Sequence, residues 1–242
     1  MASMETENKS TNGTATAYAN GQTDTNGMSQ DEQYRLPDAK TLQEVGELPI
    51  KDEDGKEVPF KTLYEDKAGR QLITFIRHFY CGHCEEFVRH LCKTLPPSTL
   101  SATNPPTTLT IVGCGEPICI PDYRIRTMSS LTSSSNPTDQ KAYAIYTDRS
   151  LALYNQLGML QNLQGSSDGK MPEYITTSLT TNVLGSLKNI VTAGGKGLRG
   201  GKYTQNGGEW LFEDGELKWC RRMRNTQDHA TIAELKGLIG FE

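Results

Sequence analysis

The sequence predicts an α/β fold in which a central mixed sheet carries helices on both faces, preceded by a disordered N-terminal tail. From about Leu48 onward, apolar runs of strand length alternate with stretches in which apolar residues recur at helical spacing. Strands alternating with helices pair mainly in parallel and are covered on both faces. Near the end, Trp210-Leu211-Phe212, Asp214-Gly215 and then Leu217 to Cys220 form a hairpin signal, which adds antiparallel strands to the sheet.

The tail comes first. Met1 to Arg35 holds no Leu, Ile, Val, Phe or Trp, so it cannot bury enough apolar surface to offset its ordering entropy. Residues 1–35 are therefore read as disordered, and 36–242 as the folded domain. The sequons at Asn8 and Asn12 carry little meaning without a secretion signal. The 242 residues have net charge -4, and Glu5, Glu7, Asp24, Asp31 and Glu32 against Lys9 account for all of it. The balanced remainder disfavours nucleic acid, and no polybasic patch points to a membrane surface. No apolar run approaches the roughly 18 residues of a spanning helix, and the N-terminus lacks a cationic start followed by an apolar stretch. The expected location is cytoplasmic, where six cysteines should be mostly free thiols.

Within the domain, Asp52-Glu53-Asp54-Gly55 is turn-like, and Val58 to Tyr64 alternates as a short strand would. Leu72 to Tyr80 is an apolar run read as a buried strand, in which alternation sends Arg77 and His78 to opposite faces. Cys81-Gly82-His83-Cys84 follows, and Cys84, Phe87, Val88, Leu91 and Leu95 recur at helical spacing until Pro96-Pro97 stops them. Leu109 to Val112 is a second buried strand, running into Gly113-Cys114-Gly115. A helix from Pro121 should put Ile125, Met128 and Leu131 on one face, and Ser129 to Pro137 is a loop. Ala142 to Tyr146 is a third strand. Asp148 caps a helix carrying Leu151, Tyr154 and Leu157 that stops at Gly158, and a closing helix carries Ile232, Leu235, Leu238 and Ile239.

An insert at about 160–205 is too long for a simple connection. Pro172 can open a helix there with Leu179, Val183, Leu187, Ile190 and Val191 as its stripe, and Gly194 to Lys202 reads as a mobile loop. That glycine-rich run lacks the Gly-Lys-Ser/Thr ending of a phosphate loop and follows no clear strand, which argues against a nucleotide site.

The chemistry concentrates at the two cysteines. They sit where a strand turns into a helix, and helix N-termini stabilise anions such as the thiolate. A lowered thiol pKa is expected for Cys81. A protonated His83 would add positive charge beside the sulfurs, whereas Glu85 and Glu86 would oppose it. Two other readings compete: half of a structural zinc site with Cys114 and Cys119 as the second pair, or inert buried thiols. Zinc-binding pairs favour short knuckles over the mouth of a strand-helix unit, so no metal and no bound cofactor is expected. Cys114 and Cys119 follow the second buried strand and are candidates for a resolving role. Cys92 reads as buried and inert, and His90 and His229 as helix-surface residues.

The order of elements is that of the thioredoxin-like fold. Phe75 to Leu91, Ile111 to Pro117, Ile145 to Met159, Gln205 to Phe212 and Arg222 to Ala230 together resemble the peroxiredoxin-like AhpC/TSA antioxidant family, common in fungi. The resemblance implies a thiol-dependent antioxidant or oxidoreductase with Cys81 and Cys84 as the redox pair and His83, Arg77 and Tyr80 in support. It also implies a peroxide, disulfide or metabolite as substrate, and thioredoxin or glutathione as external reductant. A homodimer is compatible with it. True peroxiredoxins carry Pro-x-x-x-Thr-x-x-Cys; here the frame reads Arg77-x-x-x-Cys81-x-x-Cys84, so Cys84 matches the peroxidatic cysteine and Cys81 replaces the threonine. Thioredoxins place a cis-proline where this chain has Gly207-Gly208. These departures keep two further readings open. One is a repurposed member acting on a dedicated small molecule, in secondary metabolism or endoperoxide reduction. The other is a redox-sensing binding module.

Overall fold

A computed structural model describes residues 27–129, 143–166, 172–175 and 194–241. Seven strands form one sheet: β1 (Pro49–Lys51), β2 (Glu57–Pro59), β3 (Arg70–Phe75), β4 (Thr107–Gly113), β5 (Ala144–Thr147), β6 (Gly208–Glu213) and β7 (Glu216–Arg222). Their order across the sheet is β2-β1-β5-β4-β3-β6-β7. The centre, β3, β4 and β5, is parallel, while β1, β2, β6 and β7 join antiparallel. This is the mixed α/β sheet the sequence predicts, with the hairpin turning at Asp214 (φ 50°) and Gly215 (φ 83°).

The helices are α1 (Gln30–Tyr34), α2 (Ala39–Gly46), α3 (Gly82–Thr94), α4 (Pro97–Ala102), α5 (Ile120–Met128), α6 (Ala152–Gln156) and α7 (Ile232–Leu238). One core joins Phe87, Val88 and Leu91 of α3, Tyr123 of α5 and Leu235 of α7 to Leu72, Ile111 and Leu211 of the sheet. The other joins Val45 of α2 and Leu153 and Tyr154 of α6 to Ile73, Phe75, Val112 and Trp210. Alternation along each strand feeds both layers, as burial on two faces requires.

Several elements depart from expectation. Order begins before Leu36: Ser29 caps α1 in a capping box with Glu32, Met28 and Gln33 are buried, and the Tyr34 ring meets Trp219. Composition missed this because α1 is held by polar contacts, with Gln33 Nε2 donating to the Arg222 carbonyl (2.9 Å) and to Asp228 (3.0 Å). Residues 1–26 of the tail lie outside the described residues. The strand predicted over Val58 to Tyr64 ends at Pro59 and continues as a 3-10 turn over Phe60–Leu63. The central strand stops at Phe75, so Arg77 and His78 do not face opposite sides of a sheet; both are buried in the turn that follows it.

In α5 the buried residues are Ile120, Tyr123, Arg124, Thr127 and Met128, and Ile125 is exposed. Met128 is buried as predicted and Ile125 is not; the helix follows a 3-10 turn at Pro117–Cys119. Leu131, and the loop beyond Ser129, are outside the described residues, as is the stripe from Leu179 to Val191. Asp148 reaches across one turn to accept from the Leu153 N–H (2.9 Å), and Leu151 stands at the helix entry with φ 64°.

The glycine-rich run is docked against the site. Gly194–Arg199 forms a 3-10 segment, the Gly200 carbonyl accepts from Phe79 N–H (3.0 Å), and the Arg199 carbonyl accepts from Glu116 N–H (2.8 Å). Arg199 also pairs with the Glu116 carboxylate.

Candidate active site

Cys81 is the N-cap of α3, its carbonyl accepting from Glu85 N–H (2.9 Å), and Cys84 lies in the first helical turn. Both thiols are free and buried, Cys81 with 4% of its surface exposed and Cys84 with none. Arg77 links them. Its backbone N–H donates to Cys84 Sγ (3.4 Å) and its Nη1 donates to Cys81 Sγ (3.3 Å). The guanidinium is aimed by the carbonyls of Gln205 (3.2 Å from Nε) and Tyr203 (2.6 Å from Nη2). The segment read as a mobile loop thus leads into the chain that positions the cation.

This environment divides the two thiols. A hydrogen bond from Cys84 lowers the Cys81 pKa well below the ordinary thiol value against the cost of burial, and the Arg77 charge adds to the effect. Burial first, and then the adjoining Cys81 sulfur, push Cys84 well above it. The two shifts run in opposite directions, favouring the thiolate at Cys81 and the thiol at Cys84.

The positive charge considered for His83 is opposed by burial and ranks behind the Arg77 charge in lowering the Cys81 thiol. His83 is buried with Nε2 3.4 Å from Gln227 Nε2, and burial pushes the imidazole down, favouring the neutral form. His78 is pushed down to about 4 by burial, its Nδ1 accepting from Tyr80 N–H (3.3 Å). The Arg77 guanidinium is the leading charge beside Cys81, ahead of both imidazoles. Glu85 is drawn from the thiols into an ion pair with Arg126 (2.8 Å). Tyr80 is buried beneath Arg126, 4.8 Å from ring centroid to guanidinium carbon, and its hydroxyl is directed to Cys119.

Cys114 donates its S–H to the Arg77 carbonyl (2.9 Å), and burial pushes its thiol up to about 12. Burial raises Cys119 as well. Both are held as thiols: Cys114 buttresses the Arg77 backbone and Cys119 lies by Tyr80. Cys92 is buried, and burial pushes it up to about 12. Among the described residues, no group of three or more His, Cys, Asp or Glu side chains is placed to hold a metal ion.

One pair of residues escaped sequence reasoning. His229, read as a helix-surface residue, precedes α7 and is buried, with Nε2 3.3 Å from Cys84 Sγ and Nδ1 2.6 Å from Glu209 Oε1. Its ring stacks on Phe87, centroids 4.1 Å apart and planes 1° apart. Glu209 shares its sheet face with Leu211, so a carboxylate alternating with a core leucine was the available signal. His90, by contrast, is exposed.

A family model described as AhpC/TSA antioxidant enzyme matches residues 94–225. Human peroxiredoxin-like 2C is 31% identical over 198 residues, covering 82% of this chain and 80% of its own. The chain belongs to the AhpC/TSA antioxidant enzyme family. The mouse peroxiredoxin-like 2C is 30% identical over the same shares of both chains. A cysteine-to-serine variant of the peroxiredoxin 6 of Arenicola marina superposes with a TM-score of 0.51 at 10% identity, covering 80% of this chain and 69% of that one, a likeness of fold. AhpC/TSA membership and the thioredoxin-like fold together support a redox function in general terms. The matched family segment begins ten residues after Cys84, so the thiol pair must be argued from its own geometry. No helix among the described residues is long and apolar enough to cross a membrane.

Proposed function

We propose that the protein is a thiol-dependent oxidoreductase in which Cys81 attacks and Cys84 resolves. The observation that carries this is the Arg77 guanidinium 3.3 Å from Cys81 Sγ at the head of α3. A cation and a helix N-terminus together hold the nucleophilic thiolate, and the neighbouring thiol is positioned to close a disulfide with it. With a peroxide, the Cys81 sulfur attacks an oxygen, the O–O bond breaks, an alcohol or water leaves, and Cys84 condenses with the sulfenic acid to release water. With a disulfide, attack gives a mixed disulfide, and Cys84 then expels the second thiolate. An external thiol, glutathione or a thioredoxin, restores the pair, which places the enzyme in a reducing compartment such as the cytoplasm.

The substrate class we favour is small. In thioredoxins the chain before the later strand pairs with a protein substrate; here that chain is occupied internally. Asn206 N–H donates to the Leu160 carbonyl (2.9 Å) and Met223 N–H donates to the Gly207 carbonyl (3.0 Å). A Cβ on Gly207 would fall 1.8 Å from the Phe75 carbonyl oxygen, so no proline could stand there. A small peroxide, disulfide or metabolite fits a nucleophile of which only 4% is exposed.

Steady-state assays with hydrogen peroxide, an organic hydroperoxide and a small disulfide, with dithiothreitol or a thioredoxin system as reductant, test the proposal. Wild type should turn over at least one of them, and Cys81→Ser and Cys84→Ser should each abolish that turnover. Full activity in the double serine variant would refute the redox assignment.

A further inference from the structure

Cys84 must lose a proton to resolve, yet its surroundings oppose ionisation. Its side chain is fully buried, and both burial and the adjacent Cys81 sulfur hold it as a thiol. A thiol is a poor nucleophile, so closure of the disulfide requires a base in contact with Sγ. The Arg77 backbone N–H at 3.4 Å is a donor. His229 Nε2, at 3.3 Å, can accept.

The imidazole is oriented for that task. Glu209 Oε1 lies 2.6 Å from Nδ1, and Glu209 Oε2 accepts from Ala230 N–H (3.1 Å), so both oxygens of a fully buried carboxylate are fixed. A carboxylate at Nδ1 assigns the ring proton there and leaves the Nε2 lone pair directed at the sulfur. The stack on Phe87 holds the ring plane, and the Tyr174 hydroxyl accepts from the His229 backbone N–H (3.3 Å).

We propose that His229, oriented by Glu209, is the general base that takes the Cys84 proton as the Cys81–Cys84 disulfide closes and returns it when that disulfide is reduced. The inference rests on the reading of Cys81 and Cys84 as the redox pair. In the closing step, with Cys81 in a mixed disulfide, the Cys84 S–H bond breaks and its proton passes to Nε2. The new sulfur-sulfur bond forms, the bond to the outer sulfur breaks, and a thiolate leaves. The two cysteines are oxidised by two electrons, and the substrate disulfide is reduced to two thiols. When an external thiol attacks at Cys81, Cys84 leaves as thiolate and recovers the proton. Glu209 is a positioning residue, since its carboxylate is hydrogen-bonded to the imidazole and to Ala230 N–H and, among the described residues, to neither sulfur.

Rapid mixing of the reduced protein with 5,5'-dithiobis(2-nitrobenzoate) separates the steps, because each half of this disulfide absorbs on release. The first phase reports attack by Cys81 and the second reports closure by Cys84; signal from other thiols is read from the double serine variant. Cys84→Ser should show the first phase alone. His229→Gln should keep the first phase within about twofold and slow the second about 100-fold or more. The pH profile distinguishes a base from a prop. The titratable groups facing the imidazole are Cys84 from α3, Glu209 from β6 and Tyr174, with Arg221 of β7 and Glu234 of α7 beyond Glu209. In wild type the second phase should level off as pH rises, whereas in His229→Gln it should climb with pH as hydroxide takes over.

Glu209→Gln should slow the second phase in the same direction and by less, and thermal melts establish that each variant is folded. An unchanged second phase in His229→Gln, or, if that variant does not fold, in Glu209→Gln, overturns the proposal. A parallel fall of both phases also overturns it, because that marks a structural role. Absence of the first phase in wild type overturns the reading of the cysteine pair itself, and is seen before any variant is made.

Discussion

At the residue scale, Arg77 and Cys81 set the reactivity. The hydrogen bond from Cys84 and then the Arg77 charge hold the Cys81 thiol low, whereas Cys92 and Cys220 have burial as the first influence on theirs, in the opposite direction. Iodoacetamide near pH 6.5 should therefore alkylate Cys81 before Cys92 or Cys220, as peptide mass spectrometry would show. Arg77→Met, which keeps the stem and removes the charge, should slow that alkylation about tenfold. Uniform labelling of all six cysteines, or an unaffected rate in the variant, would leave no basis for calling Cys81 activated. Arg77 also donates to the Gln205 and Tyr203 carbonyls, so the variant should loosen the segment across the site as well.

At the element scale, α1 shows how a polar segment becomes part of a fold. It has no Leu, Ile, Val, Phe or Trp, but Arg222 Nη1 donates to the carbonyls of Glu32 (3.0 Å) and Arg35 (2.7 Å), and the Tyr34 hydroxyl joins Glu234 (3.2 Å) to Arg221 (3.1 Å). These contacts tie α1 to β7 and to the start of α7. Tyr34→Ala should destabilise the protein by about 2 kcal/mol, combining lost ring packing against Trp219 with unpaired polar partners. Deletion of residues 1–35 should lower the melting temperature by about 5 °C or more in a scanning calorimeter. A melting temperature equal to the full chain's would mean that α1 contributes nothing to stability.

At the scale of the whole molecule, the buried histidines couple folding to pH. His78 has its pKa pushed from 6.5 to about 4 by burial. The unfolded chain thus binds a proton between those values that the folded chain refuses. Stability contributed by the neutral ring is complete above about pH 6.5 and is lost as pH falls towards 4. His83, displaced in the same direction, adds to the trend. Urea unfolding at pH 7.5 and pH 5 should differ by about 2 kcal/mol from His78 alone, and a His78→Gln variant should lose that part of the difference. An identical pH dependence in the variant would show that another group carries it.

Local chemistry was enough to determine the frame. Helical spacing after Cys81, Pro96-Pro97 as a stop and Asp214-Gly215 as a turn are interactions among near neighbours, and each acts as its sequence predicts, whereas the strands predicted from Val58 and Leu72 end earlier, at Pro59 and Phe75. Cys81 at the head of a helix follows from the same short-range pattern. Tertiary structure alone decided what surrounds those sulfurs. The β3–β6 pairing sets Phe75 opposite Gly208, which brings carbonyls 126 and 128 residues away onto Arg77. Packing of the 222–230 segment against α3 brings His229 to Cys84 across 145 residues. Periodicity reports which face of an element is apolar, whereas these contacts depend on how elements meet. A charge such as Glu209 in a core position therefore finds its partner only when the sheet and α3 are assembled around it.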